Sequence, residues 1–334
     1  MKRKLAFLLM LCFGWSFFLN GCGGTLPKTD DRLQVVCTIF PEYDWARQLT
    51  QGVDNVDLTL LVKNGTDLHS YQPSVRDIAM IARADVFCYV GGVSDTWVND
   101  VLDTTENRTA QLVSMAEAAD ADEEVLAEGM QAEHEHEHEH EHDHHDDESD
   151  SHEEPPELDE HVWLSLRRAA LACTAMKEAL CKADPAHEDI YNQNCTDYLQ
   201  KLQELDSDFT EMTSLAARDT IVVADRFPFR YLAEDYGLTY YAAFPGCSAE
   251  TEASFETIVF LSEKVESLHL PCVLVTEGSN SSLAKTILEN AGSDGKILTL
   301  QSLQAVSQKE IDTGVTYLSK MQENYDVLKQ ALNS

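Results

Sequence analysis

Short β-branched runs and longer apolar series spaced by threes and fours alternate along most of the chain. Val35-Val36-Cys37-Thr38-Ile39 is the first such run, and Pro41 opens a helical pattern carried by Trp45, Ala46 and Leu49 that stops at Gly52. Val56 to Val62 predicts a second strand, Asn64-Gly65 a loop, Pro73-Ser74 a helix start, and Ala84 to Val90 a further strand closed by Gly91-Gly92. Farther on, Tyr191, Cys195, Tyr198, Leu202, Leu205, Phe209 and Met212 recur at spacings of four and three. That series predicts one amphipathic helix of roughly 30 residues, about 45 Å long, introduced by the cap and first-turn proline of Asp184-Pro185. The strand runs Thr220 to Ala224, Leu238 to Ala243, Cys272 to Thr276 and Lys296 to Leu300 then alternate with helical patterns ending at Tyr236-Gly237, over Glu252 to Leu268 and around Leu283 to Asn290; a last helix is predicted over Asp312 to Leu332. Alternation of this kind implies parallel sheets covered by helices. Two α/β lobes, 32–165 and 219–334, therefore flank a long helix at 184–217, and a ligand belongs between them at the carboxyl ends of the strands.

Two stretches break the rhythm. At the N-terminus Lys2, Arg3 and Lys4 precede an apolar run, Leu5 to Leu19, that is short for a bilayer span, and together they predict a signal peptide over 1–21. The run ends in Leu19-Asn20-Gly21-Cys22, which resembles a bacterial lipoprotein processing site and implies acylation of Cys22; the Gly/Pro/polar segment 22–31 then reads as a tether. The second break begins at Glu117, after which no Lys or Arg occurs until Arg167. Its centre, EHEHEHEHEHDHHDDESDSHEE, cannot build a core, so 118–157 is expected to be a mobile loop.

The formal net charge of −35 argues against nucleic acid and suits a surface that attracts cations, although charge alone names none. No later apolar stretch reaches membrane-spanning length. Beyond Cys12 and Cys22 there remain seven cysteines without the compact spacing of a disulfide or zinc-knuckle framework. Cys37, Cys88 and Cys272 fall in strand runs and read as small buried hydrophobes, whereas Cys247 lies in a Pro-Gly-Cys-Ser loop. Outside the acidic alternating tract there is no His-Glu-any-any-His pattern, and there is no Gly-any-Ser-any-Gly elbow and no glycine-rich phosphate loop, so an enzyme is not expected; a zinc hydrolase is the rival reading of that class.

The histidines carry the remaining chemistry. His134, His136, His138, His140, His142 and His144 alternate with acids, with His145 following, so an extended chain places the imidazoles on one side. Clustered imidazoles bind late first-row metals without fixed geometry, which predicts weak multi-site capture. His69 sits in a loop just past a strand; taken alone, such a residue is as readily a solvent-exposed or structural histidine as a ligand.

GTDLHSYQPS resembles the first-histidine loop of the metal-specific solute-binding proteins of ABC importers: a Gly, a short spacer, His, then an aromatic and a Pro. DEHVWLS resembles their second-histidine segment, Asp-any-His-any-Trp before a helix, and the acidic histidine tract lies between the two in the family order. The resemblance implies two Rossmann-like α/β lobes joined by a long rigid helix, with the metal site in the cleft between them. It implies His69 and His161 as the first two ligands, Zn2+ as cargo with Mn2+ the less favoured alternative, and a monomer anchored to the membrane that serves a permease and its ATPase. A metal-buffering adhesin without a transporter is the other reading of the same motifs. Two departures stand out. The family's third ligand position falls on Arg226, which cannot ligate, leaving Asp225 one residue earlier as substitute donor or as an ion-pair or cap residue. The optional fourth position falls on Gln301, with Glu277 as the expected oxygen donor in its place and Cys247 as an outside candidate.

Overall fold

The computed structural model describes residues 32–63, 65–105, 109–130, 158–248 and 252–334. The signal segment, Cys22, the tether and the histidines from His134 to His145 lie outside the described residues.

The first lobe opens with β1 (Leu33–Cys37), α1 (Phe40–Leu49), β2 (Val56–Leu60), a short 3-10 turn (Leu68–Ser70) and α2 (Val75–Ile81). It continues with β3 (Val86–Tyr89), a 3-10 turn (Val93–Asp95), α3 (Trp97–Thr104), β4 (Gln111–Ser114) and α4 (Met115–Ala118). Its four strands are parallel in the order β2-β1-β3-β4. A 3-10 turn (Val162–Leu164), α5 (Leu166–Ala183) and the long α6 (Glu188–Ser214) lead to the second lobe. That lobe comprises β5 (Thr220–Phe227), α7 (Arg230–Asp235), β6 (Thr239–Pro245), α8 (Phe255–Ser267), β7 (Cys272–Thr276), α9 (Ser282–Asn290), β8 (Lys296–Leu300), α10 (Gln308–Asp312) and α11 (Tyr317–Asn333). Its strands are again all parallel, in the order β6-β5-β7-β8.

The apolar runs explain the layers. Central strands of a parallel sheet are covered on both faces, so they read as continuous apolar runs rather than alternating ones. In β1 the odd positions Val35 and Cys37 join the large core cluster with Trp45 and Trp163, while Val36 packs on the opposite face with Phe87 and Trp97. β5 does the same, Ile221 and Val223 on one side and Val222 and Ala224 on the other. α6 buries the stripe Tyr191, Cys195, Tyr198, Leu202, Leu205, Phe209 and Met212 that its spacing predicts. Cys37, Cys88, Cys173, Cys195 and Cys272 are buried free thiols, in keeping with their apolar surroundings.

Three expectations are corrected. The final helix starts at Tyr317 and not at Asp312, because Asp312 closes a separate short helix, Gly314 at φ +94° turns the chain, and Thr316 caps the long helix that follows. The strand expected to stop at Ala224 runs on to Phe227, so Asp225 and Arg226 sit on β5 at a register irregularity. The stretch assigned to a mobile loop from 118 is ordered as far as residue 130. The Asp122 amide donates to Tyr231 Oη at 2.9 Å, Glu123 bridges to Leu158, the Arg230 guanidinium donates to the Glu123 carbonyl, and Lys264 pairs with Glu128 at 3.6 Å. A Cβ on Gly129 would fall 2.1 Å from the Phe260 ring, so glycine allows the close approach there. Arg168 on α5, together with cations and aromatic rings of the second lobe, thus orders an acidic stretch whose own composition could not.

Candidate metal centre

The 3-10 turn carrying His69 follows β2, and Asp67 caps it: its Oδ1 accepts the His69 amide at 3.0 Å while Leu68 is buried beneath. The segment carrying His161 is fixed from several sides. Asp159 Oδ1 accepts both the His161 amide (3.1 Å) and Nδ1 (2.9 Å). The neighbouring Trp163 donates Nε1 to the Ser302 carbonyl at 2.8 Å, and its own carbonyl accepts Tyr317 Oη at 2.6 Å. His161 is completely buried.

These constraints bring the two imidazoles together, with ring centroids 5.6 Å apart. Glu160 joins them; donor atoms of His69, Glu160 and His161 lie within 4.8 Å of one another, the group of this kind among the described residues. Glu160 accepts the Ser94 amide at 3.0 Å and the Ser94 hydroxyl, and Ser94 Oγ stands 2.7 Å from His69 Nδ1. The network is consistent with each Nδ1 carrying the proton, donated to Ser94 or to Asp159, which leaves a lone pair on each Nε2. Both Nε2 atoms are buried and have no hydrogen-bond partner among the described residues. Buried polar atoms are nearly always paired, so two orphan acceptors beside one carboxylate fit a divalent cation of borderline softness. Asp95 holds the Ser94 turn by accepting the Val90 and Gly91 amides at 2.6 and 3.2 Å.

The electrostatics agree. Burial, then the neighbouring His161, pushes His69 down to about 4, so its ring is neutral at ordinary pH. For His161 burial acts downward, but the hydrogen bond and charge of Asp159, then Glu160, outweigh it and hold the ring above its usual value. Burial also raises Glu160, although His161 and Ser94 oppose it. A buried carboxyl whose proton is favoured, set against two imidazoles, is short of positive charge that a dication would supply.

The other candidates are placed differently. Asp225 and Glu277 do not belong to that group of donors within 4.8 Å of one another, and their oxygens are engaged in the second lobe. Asp225 Oδ1 accepts the Arg226 amide at 2.9 Å and Oδ2 accepts Thr276 Oγ1 at 2.7 Å. Glu277 receives the Ser302 amide at 2.6 Å and its hydroxyl at 2.7 Å. Both line a cavity of about 360 Å³ bounded by Gly65, Thr66 and Asp67 of the first lobe and by Arg226 and Gly246 of the second. Gly246 also lies against the His161 ring, where a Cβ would approach to 2.8 Å. Arg226 Nη2 donates to Asp67 Oδ2 at 2.8 Å across that cavity. The Gln301 main chain pairs with Asn324 through both its amide and its carbonyl. The Cys247 thiol is pushed up by burial and then by Glu160 and lies outside the cluster. Glu160 is the residue that sequence reasoning missed; its signal was a carboxylate in the variable place of Asp-any-His-any-Trp, directly beside a proposed ligand.

Comparison with known proteins matches residues 35–331 to the family described as zinc-uptake complex component A, periplasmic. The chain is 31% identical over 330 residues to a zinc-binding lipoprotein AdcA of Streptococcus pneumoniae, covering 99% of this chain and 61% of the relative, so it spans about three-fifths of that protein's length. It is 30% identical over 331 residues to the high-affinity zinc uptake system protein ZnuA of Bacillus subtilis, covering 98% of this chain and 96% of the relative. Among solved structures, the Zn(II)-bound ZnuA-like domain of Streptococcus pneumoniae AdcA is similar with TM-score 0.68 at 28% identity, over 91% of this chain and all of that one. The metal-dependent lipoprotein YcdH of Bacillus subtilis gives TM-score 0.71 at 26% identity, over 90% of this chain and all of the other.

Proposed function

We propose that this chain, which belongs to the ZnuA family of zinc-uptake components, captures zinc outside the cytoplasm and passes it to an ABC importer. The observation that carries the reading is the pair of buried imidazoles whose Nε2 atoms lack hydrogen-bond partners among the described residues, in a cluster completed by Glu160. His69 and His161 are the ligands and Glu160 the third donor, with zinc favoured over manganese because two of three donors are nitrogen. The protein is then a transport component and not a catalyst. Acylation of Cys22 would hold it, as a monomer, at the membrane beside its permease and ATPase, and His134 to His145 would supply weak auxiliary sites.

Isothermal titration of the mature protein with zinc, manganese and nickel tests the reading. One tight zinc site that survives removal of Glu133 to His145, while total stoichiometry falls, supports it. Loss of the tight site with that deletion, or a site that prefers manganese, overturns it.

A further inference from the structure

We infer that Arg226 is a positioning residue of this site, tying the His69 turn to the second lobe by an ion pair where a further protein ligand would otherwise make that link. The inference rests on the zinc-capture reading above for its consequence, and on geometry for its existence.

The contacts form a continuous line. Thr276, on β7, donates to Asp225 Oδ2 at 2.7 Å, and Asp225 Oδ1 accepts the Arg226 amide at 2.9 Å, which fixes the irregular end of β5. The Arg226 side chain then donates to Asp67 Oδ2 at 2.8 Å, and Asp67 uses its other oxygen to cap the turn at the His69 amide. Asp67 thus carries two separate jobs on two separate oxygens. One orders the turn locally; the other fastens the turn to the opposite lobe. On the inner side the same imidazole is held through Ser94 and Glu160. His69 is therefore braced from both lobes although all three candidate donors, His69, Glu160 and His161, precede β5 in the chain.

Each side chain of the pair is about one-third exposed, so the attraction is screened and its effect modest. Exposed ion pairs reach at most about 1 kcal/mol, which corresponds to a change of up to about fivefold. Loss of the brace should appear in the rate at which bound metal leaves, because it frees a ligand-bearing turn to open.

The test uses the full chain and the variants Asp67→Asn, Arg226→Gln and the double substitution, with zinc dissociation followed after adding excess chelator. Asp67→Asn keeps an oxygen to cap His69 and replaces the oxygen facing Arg226 with an amide NH2, which removes both the charge and the acceptor of the ion pair. Each single variant is expected to speed dissociation about three- to fivefold, and the double variant no more than either single one, as required when both break one interaction. Arg226→Lys should restore part of the loss. Hydrogen exchange at His69, Ser70 and Tyr71 in metal-free protein provides a readout independent of zinc, with faster exchange expected in Arg226→Gln. Effects that multiply in the double variant, or unchanged exchange at those amides, would overturn the brace. Failure of the parent chain to bind zinc, with the exchange result intact, would sink the capture reading and leave the brace standing.

Discussion

Asp159→Asn isolates how strongly the charge behind His161 matters to metal capture. Asp159 Oδ1 accepts both the His161 amide and its Nδ1, and an asparagine oxygen can accept both, so the substitution keeps the shape and removes the charge. Carboxylates that hold a ligating imidazole usually contribute 10- to 100-fold to metal affinity, about 1.4–2.7 kcal/mol. The upper half of that range is expected here, because both side chains are buried and the surroundings screen little. The same substitution changes the pH dependence in the opposite sense. Asp159 is the chief influence raising His161 against burial, so protons compete with metal for that ring from above the ordinary histidine value of about 6.5. Without the charge, burial dominates and the ring stays neutral to lower pH. The variant should therefore bind zinc about 30- to 100-fold more weakly at pH 8 and lose less affinity on acidification, so the two curves converge toward pH 5.5. His69, pushed down to about 4, adds no break in that range. Competition with a fluorescent chelator between pH 5.5 and 8.5 measures both effects, with thermal unfolding of the metal-free proteins as the folding control. Identical affinities and an unmoved pH break would refute the assignment of His161 as a ligand backed by Asp159.

Other outcomes follow from the same geometry. Asp225→Ala and Glu277→Ala should change zinc affinity less than about tenfold by titration, whereas His161→Ala should cost more than about a hundredfold, beyond what an outer-shell partner contributes; a hundredfold loss in Asp225→Ala would restore it as a ligand. Arg226→His places an imidazole where the family resemblance puts the third ligand, and zinc should bind at least about tenfold tighter despite the lost ion pair; unchanged or weaker binding shows that the strand end lies too far from the cluster. Glu42 is pushed up to about 8, chiefly by burial and then by Asp95, so its neutral form is favoured in the fold. The stability this gives is complete below the unfolded value near 4.5 and is lost as pH rises through about 8; Glu42→Gln should match the parent near pH 4.5 and exceed it by a few kcal/mol at pH 9 in denaturant unfolding of metal-free protein.

The fold was legible because local pattern and burial agree. β1 and β5 are short β-branched runs apolar on both faces and α6 carries a long clean stripe, so run length and composition together with period separate strand from helix there. Boundaries were less legible where packing across the chain decides them. Residues 118–130 share the acidic composition of the histidine tract, and the groups that order them lie far off in the chain, Arg168 more than forty residues away and Tyr231, Arg230 and Lys264 more than a hundred. The site divides in the same manner. His69 and His161 stand in recognisable local contexts, while Glu160 occupies a variable place and becomes interpretable only once Ser94, 66 residues earlier, is seen to hold it.

Asp225 and Glu277 show why a carboxylate at a strand end is an ambiguous sign. Each lies on the cavity wall where a ligand could be sought, yet each is occupied by hydroxyl and amide donors from its own lobe. Neither is idle. Asp225 fixes Arg226, which holds Asp67 and the His69 turn; Glu277 fixes Ser302, whose carbonyl holds the Trp163 indole beside the His161 ring, centroids 5.1 Å apart. Among the described residues the second lobe thus reaches both histidines through relays of hydrogen bonds and not through donors of its own. Metal capture on this arrangement depends on how well those relays fix two rings, which is why removing charge or braces should alter rates and pH breaks before it abolishes binding.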